Sequence, residues 1–304
     1  MYPNLFYMPE WVPFLGGAPI TSFGVMMFLS FLVGGFAMRP LMVREGIDPE
    51  KAWDVVFMGV IGGIGGAKIY YVLLNWQQTA ADPLGMIFSR GGMVWYGGFF
   101  GATALITWEA IRSKIPVGKM ADVVAAPLAF GYAVGRIGCF LVGDDWGRPT
   151  DLPWGIAFPQ GSPPTTVGVI ERSFGMTVDP ELVAKYGNVI PVHPTQLYEV
   201  AMSVAIGVLL WRIFDHRHRD GWLFMLWLAL ASAERFVVEI FRAKDDRFFG
   251  PLTVAQVISL GLIAVGLWGL AQFRASAGPT RPADAKKAAG RAATSRRGRR
   301  RAGA

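Results

Sequence analysis

Arg136, Arg235, Lys68, Glu199, Glu239 and Arg242 fall inside or at the edge of apolar stretches long enough to cross a bilayer. A charge in that setting is costly, so it ordinarily faces a protein interior or water and marks a place where polar groups are handled. Their depths converge. With a helical rise of 1.5 Å per residue, Arg136 stands about 24 Å, Arg235 about 21 Å and Lys68 about 24 Å from the same edge of an apolar layer about 30 Å thick. Measured from the opposite edge, Tyr96 lies about 6 Å deep and Glu199 about 5 Å. Glu239 is one turn beyond Arg235 and Arg242 follows it, so one helix carries alternating charge at i, i+4 and i+3 spacing. Cations, carboxylates and a tyrosine at one level suit an anionic lipid phosphate, which arginine grips in a bidentate fork. The competing reading is that the cations snorkel to the interface or pair with Glu199 and Glu239 to hold helices together. A depth shared across five stretches favours the site.

The elements that must hold these residues are seven apolar stretches, at roughly 20–38, 52–74, 92–111, 120–142, 196–214, 221–241 and 252–273. With 53% hydrophobic residues and a mean hydropathy of +0.38 over 304 residues, the chain is too apolar for an ordinary soluble domain. The expectation is an all-α integral membrane protein of about seven transmembrane helices, with a small extracytoplasmic head at 143–195 and a disordered basic tail at 278–304 beyond a 1–277 body. Basic residues at Arg39, Arg44 and Lys51, at Arg112, Lys114 and Lys119, and at Arg212, Arg217 and Arg219 fall on one side, which predicts the N-terminus outside and the C-terminus inside. No Lys or Arg occurs in the first 38 residues, so no cleavable signal peptide is expected. The net charge of +7 is concentrated in the tail, read as a topology-setting, lipid-attracted segment with no nucleic acid as partner.

Within the apolar stretches, Gly59 with Gly63 and Gly97 with Gly101 have the small-xxx-small spacing that lets helices approach closely in lipid. In the head, Asp179 and Pro180 predict the start of one short helix, and Trp146 and Trp154 are expected to anchor the loop at the interface. The lone Cys139 excludes an internal disulfide, and no paired Cys/His spacing points to a metal. Cys139 reads either as a small packing residue or as a thiolate activated by Arg136.

Four segments taken together, GRIGCFLVGDDWGR (135–148), HPTQLYE (193–199), ERFVVEIFR (234–242) and GGMVWYGG (91–98), resemble the prolipoprotein diacylglyceryl transferase family. The resemblance covers nearly the whole chain except the tail. It implies a multi-pass enzyme of the bacterial cytoplasmic (inner) membrane that moves the diacylglyceryl group of phosphatidylglycerol onto the lipobox cysteine of preprolipoproteins and releases glycerol phosphate, with no metal or soluble cofactor. By position, Arg136 resembles the signature arginine and Arg235 the second essential one. The same motifs place Tyr96 among the catalytic residues. Lys68, Gly98, Cys139, Asp144, Gly147, His193, Gln196, Tyr198, Glu199, Glu239 and Arg242 are expected to bind substrate or lipid. The chain departs from the family pattern at Cys139, where Asn is common, at Tyr96, where His is common, and at Phe23, where Tyr is frequent. A general base, if one is used, is Glu199, Asp144 or His193. The alternative from another class is a diverged member that binds anionic lipid or transports a small anion without transfer.

Overall fold

The computed structural model describes residues 2–12, 16–89, 92–215, 218–243 and 247–274. The expected tail, and Arg90 and Gly91 of the glycine-flanked segment, lie outside the described residues.

In chain order the elements are β1 (Asn4–Tyr7), β2 (Pro19–Thr21), α1 (Ser22–Arg44), α2 (Lys51–Leu74), α3 (Trp76–Ala81), α4 (Pro83–Phe88), α5 (Trp95–Arg112), α6 (Val117–Val142), α7 (Val167–Phe174), α8 (Pro180–Tyr186), α9 (Thr195–Arg212), α10 (Trp222–Phe241), β3 (Arg247–Phe249), β4 (Leu252–Thr253) and α11 (Val254–Gln272). Seven of these helices have 18 residues or more, and each coincides with one of the expected apolar stretches to within three residues at either end, except that α1 runs six residues past the expected 38. Four of them, α1, α2, α6 and α11, are long and apolar enough to cross a membrane. Two antiparallel pairs, β1 with β2 and β3 with β4, stand beside the helices.

The helix ends follow local chemistry. Thr253 and Gln256 form a reciprocal capping box at the start of α11, each side chain accepting from the other's backbone N–H. Asp179 caps α8 ahead of Pro180, as the sequence predicts. The head also contains α7, which the sequence reading lacks; Gly175, with φ +64°, ends it in the left-handed conformation that glycine adopts without strain.

The described residues divide into two compact units. One holds the described residues of Gly35–Val123 and Arg217–Gly221. In it α2 packs along α5, and the glycines in contact are Gly62 and Gly66 against Gly97 and Gly101, where a Cβ on any of the four would run into the facing backbone. This corrects the expected pair on α2: Gly59 meets only the tip of Ile106, and a Cβ on Gly63 would meet nothing within 4 Å. The small-xxx-small spacing holds, displaced by three residues to the face that α5 covers.

The other unit holds the described residues of Met1–Gly34, Val124–His216 and Trp222–Arg274. Here α9 packs on α10 and α10 on α11. The head has its own apolar core of Trp146, Phe158, Ile170, Val178, Ile190 and Val192. Trp146 is therefore not an interfacial anchor. It is 3% exposed, its ring lies 4.8 Å from that of Phe174, and its indole N–H donates to Pro163 O at 2.9 Å. Packing against apolar residues drawn from distant parts of the loop outweighs the general tendency of tryptophan to sit at membrane interfaces.

Candidate active site

Three helices and one loop bring the polar residues together within the second unit. Helix α6 presents Arg136 near its C-terminal end and runs into the Gly143–Gly147 loop. Helix α9 begins with Thr195 and offers Gln196 and Glu199 on its first turns, and α10 ends with Arg235, Glu239 and, one residue past it, Arg242. The loop is fastened to both helix ends. Gly147 N donates to His193 O at 2.8 Å, Arg148 N to Phe241 O at 2.7 Å and Thr195 Oγ1 to Asp145 O at 2.7 Å, while Gln196 Nε2 donates to Asp144 O. Gly147 has no room for a side chain: a Cβ there would lie 2.5 Å from Phe241 O, 2.7 Å from His193 Cβ and 2.8 Å from Thr195 Cγ2.

The charged groups form one continuous ladder. Glu239 pairs with Arg235 and, at 3.7 Å, with Arg242 Nε. Arg242 Nη2 reaches Asp145 Oδ1 at 2.6 Å, and Asp145 Oδ2 accepts from Arg136 Nη1 at 3.0 Å. Arg136 Nη2 pairs in turn with Glu199, which also accepts from Tyr132 Oη at 2.9 Å. The guanidinium of Arg136 lies 5.9 Å from the Tyr132 ring centroid and donates to Cys139 Sγ at 3.3 Å. Glu199 and Glu239 are almost fully buried, and buried charges persist only when paired in this way. Arg136 Nε, Asp144 Oδ1 and Gln196 Oε1 are buried with no hydrogen-bond partner among the described residues, so polar capacity remains at this junction.

The loop acids differ. Burial, and then the charge of Asp145, push the Asp144 carboxyl above the usual carboxylate range. Burial would raise Asp145 too, but Arg242 and Arg136 outweigh it and hold that carboxyl below the range. Burial lowers the His193 imidazole, whose Nδ1 lies 3.0 Å from Tyr198 Oη and whose ring packs 5.2 Å from that of Phe241. Tyr198 Oη in turn accepts from Trp154 Nε1 at 2.8 Å, beside a cavity of about 540 Å3 lined by Pro153, Ile156, Pro194 and Leu197.

Of the residues singled out in the sequence, the structure gathers Arg136, Cys139, Asp144, Gly147, His193, Gln196, Tyr198, Glu199, Arg235, Glu239 and Arg242 in one unit. Lys68, Tyr96 and Gly98 belong to the other. Lys68 Nζ donates there to Ser89 O at 2.8 Å and Ser89 Oγ at 2.7 Å, and a Cβ on Gly98 would lie 3.0 Å from Gly63 O. Two ladder members escaped the sequence reading. Tyr132 precedes Arg136 by one turn, so helical spacing alone would have found it. Asp145 gives no such signal, because its reach to Arg242 depends on the loop conformation.

The prolipoprotein diacylglyceryl transferase family model matches residues 10–272. The chain is 35% identical to the phosphatidylglycerol–prolipoprotein diacylglyceryl transferase of Nostoc sp., over 84% of this chain and 86% of the relative. The protein of that name from Thermosynechococcus vestitus is 32% identical over 84% of this chain and 89% of its own length. The one from Solidesulfovibrio magneticus is 31% identical over 88% and 97%. The residues of the ladder lie inside the matched range, and the chain belongs to the prolipoprotein diacylglyceryl transferase family.

Proposed function

We propose that this chain transfers the diacylglyceryl group of phosphatidylglycerol to the lipobox cysteine of preprolipoproteins. The observation that carries the reading is the ladder itself, in which Arg136 of α6 and Arg235 and Arg242 at the end of α10 are linked through Glu239 and Asp145, in a chain of this family. In the reaction the substrate thiol sulfur loses its proton and forms a C–S bond to the carbon of the diacylglyceryl group that bears the phosphate. The C–O bond to phosphate breaks, and glycerol phosphate leaves with the electron pair. The nucleophile comes with the substrate, so the protein's task is to hold the phosphate and take up a proton. Arg136 and Arg235 hold the phosphate and stabilise the charge growing on the leaving oxygen, the kind of preorganised help that is often the largest catalytic contribution. Among the candidate bases Glu199 is already committed to Arg136 and Tyr132. Asp144, with its raised pKa and an unpartnered buried oxygen, fits the proton acceptor better. Tyr96, in the other unit, enters this reading only through the resemblance of its segment.

In the same reading the seven long helices cross the bacterial inner membrane with the N-terminus outside and the C-terminus inside, as the alternation of basic loops supports. Membrane phosphatidylglycerol enters laterally, and the lipobox peptide approaches under the 143–195 head.

The test is mass spectrometry of a lipobox peptide incubated with purified protein and phosphatidylglycerol, beside Arg136→Ala and Arg235→Ala. Thioether-linked diacylglyceryl on the peptide, lost in both variants, is the expected result. Lipid binding without adduct would overturn the transfer reading.

A further inference from the structure

Asp145 has the most exposed side chain of the ladder, ahead of Arg235 at 34%. Its side chain is 39% exposed, whereas those of Arg136 and Arg242 are 10% and 16% exposed. Its two oxygens go to different partners, Oδ2 to Arg136 and Oδ1 to Arg242. One carboxylate thus spans two guanidinium groups with one oxygen each, as the two non-bridging oxygens of a phosphodiester would. The charges of the ladder also balance, with Arg136, Arg235 and Arg242 against Glu199, Glu239 and Asp145. Glu199 and Glu239 are locked in the interior, while Asp145 alone sits on a loop, at φ +55°, a backbone conformation sparsely populated by residues other than glycine. A further anion could join the balanced ladder only as an excess charge.

We propose that Asp145 is a resident competing anion. Resting on the donor-lipid reading above, the proposal is that the phosphodiester of an incoming lipid displaces the Asp145 carboxylate from Arg136 and Arg242, exchanging one negative charge for one. When the C–O bond breaks, the phosphate monoester product carries close to two charges and would cling to bare arginines. The returning carboxylate competes it away. Asp145 thereby sets both a threshold for donor binding and the ease of product release, and a neutral diacylglycerol, having no charge to exchange, is refused.

The experiment uses the full chain in detergent with Asp145→Asn and Asp145→Gly. Asn tolerates the left-handed backbone and Gly removes its strain, so both variants keep the loop conformation. Equilibrium binding of phosphatidylglycerol and inhibition by glycerol phosphate are measured, with thermal unfolding to confirm the folded state. Both variants are expected to bind the lipid about tenfold more tightly and to be inhibited by glycerol phosphate at correspondingly lower concentration. Unchanged or weaker binding in the folded variants would overturn the proposal and make Asp145 a clamp on the arginines. Failure of both variants to fold would do the same. Tighter lipid binding in a protein whose unaltered form makes no peptide adduct would discard the transferase reading and leave the competing anion standing. Transfer retained with weakened binding in the variants would do the reverse.

Discussion

Replacing Gly147 by Ala tests whether the site depends on the close approach of three chain segments. The added methyl would fall 2.5 Å from Phe241 O and within 2.8 Å of side-chain atoms of His193 and Thr195, where carbon atoms prefer about 3.5–4.0 Å. The loop must therefore retreat by about 1 Å. Overpacking of this kind costs about 1–3 kcal/mol. Straining the flanking bonds, Gly147 N to His193 O at 2.8 Å and Arg148 N to Phe241 O at 2.7 Å, adds about 1 kcal/mol for each one lost. With one of the two bonds lost, the expected destabilisation is about 2–4 kcal/mol, read as a lower thermal midpoint in detergent. Activity should fall further than stability does. Asp145 is two residues away and Arg242 bridges to Gly147 directly, and a displacement of about 1 Å in a positioned group can cost about a hundredfold in rate. Transfer to a lipobox peptide is assayed below the variant's unfolding range, beside Gly135→Ala. Gly135 is also within the family segment, but a Cβ there meets nothing within 4 Å, so the control should be neutral or slightly stabilising through helix propensity. Equal losses in the two variants, or none in Gly147→Ala, would refute the steric argument.

Tyr132→Phe removes the hydroxyl that donates to Glu199 at 2.9 Å; loss of about 1.5–3 kcal/mol is expected for a bond to a charged group, with a lower kcat, and an unaltered kcat would mean that Arg136 alone holds Glu199. Gly101→Val forces a branched side chain into the backbone of Gly62, and thermal unfolding should show a loss of several kcal/mol, consistent with overpacking plus a lost helix contact of about 1–3 kcal/mol or more. Asp145 has a depressed folded pKa, so its ion pairs contribute fully above the unfolded value of about 3.9 and fade as pH falls through the lower folded value; the stability of Asp145→Asn should consequently fall less than that of the unaltered chain as pH drops below about 4.

The long helices were legible as runs of about 20 mostly apolar residues, and four of them are long and apolar enough to cross a membrane. The arginines were legible for the converse reason, since Arg136 and Arg235 stand out against Val, Ile and Phe. The i, i+4 pair of Arg235 with Glu239 follows from helical geometry and is present. Contacts that depend on how segments meet were not legible. Helical spacing cannot say whether Gly59 and Gly63 or Gly62 and Gly66 face α5, because that turns on rotation of the helix about its axis. The burial of Trp146 depends on residues such as Phe158 and Ile190, far along the loop, and Lys68 could not be assigned its partner Ser89 from depth alone.

The order in which the ladder's charges occur along the chain bears on its biosynthesis. Helix α10 carries Glu239 between Arg235 and Arg242, so its cations leave the ribosome with a counter-charge already at helical reach. Helix α6 has no such provision: Glu199 is synthesised 63 residues after Arg136, a whole head and helix turn later. Asp145, nine residues on, bonds Arg136 in the finished protein and becomes available long before Glu199 does. A nascent α6 therefore carries an acid nine residues beyond its arginine before α9 is made, although the bonds that fix the Asp145 loop come only with Thr195 and Phe241.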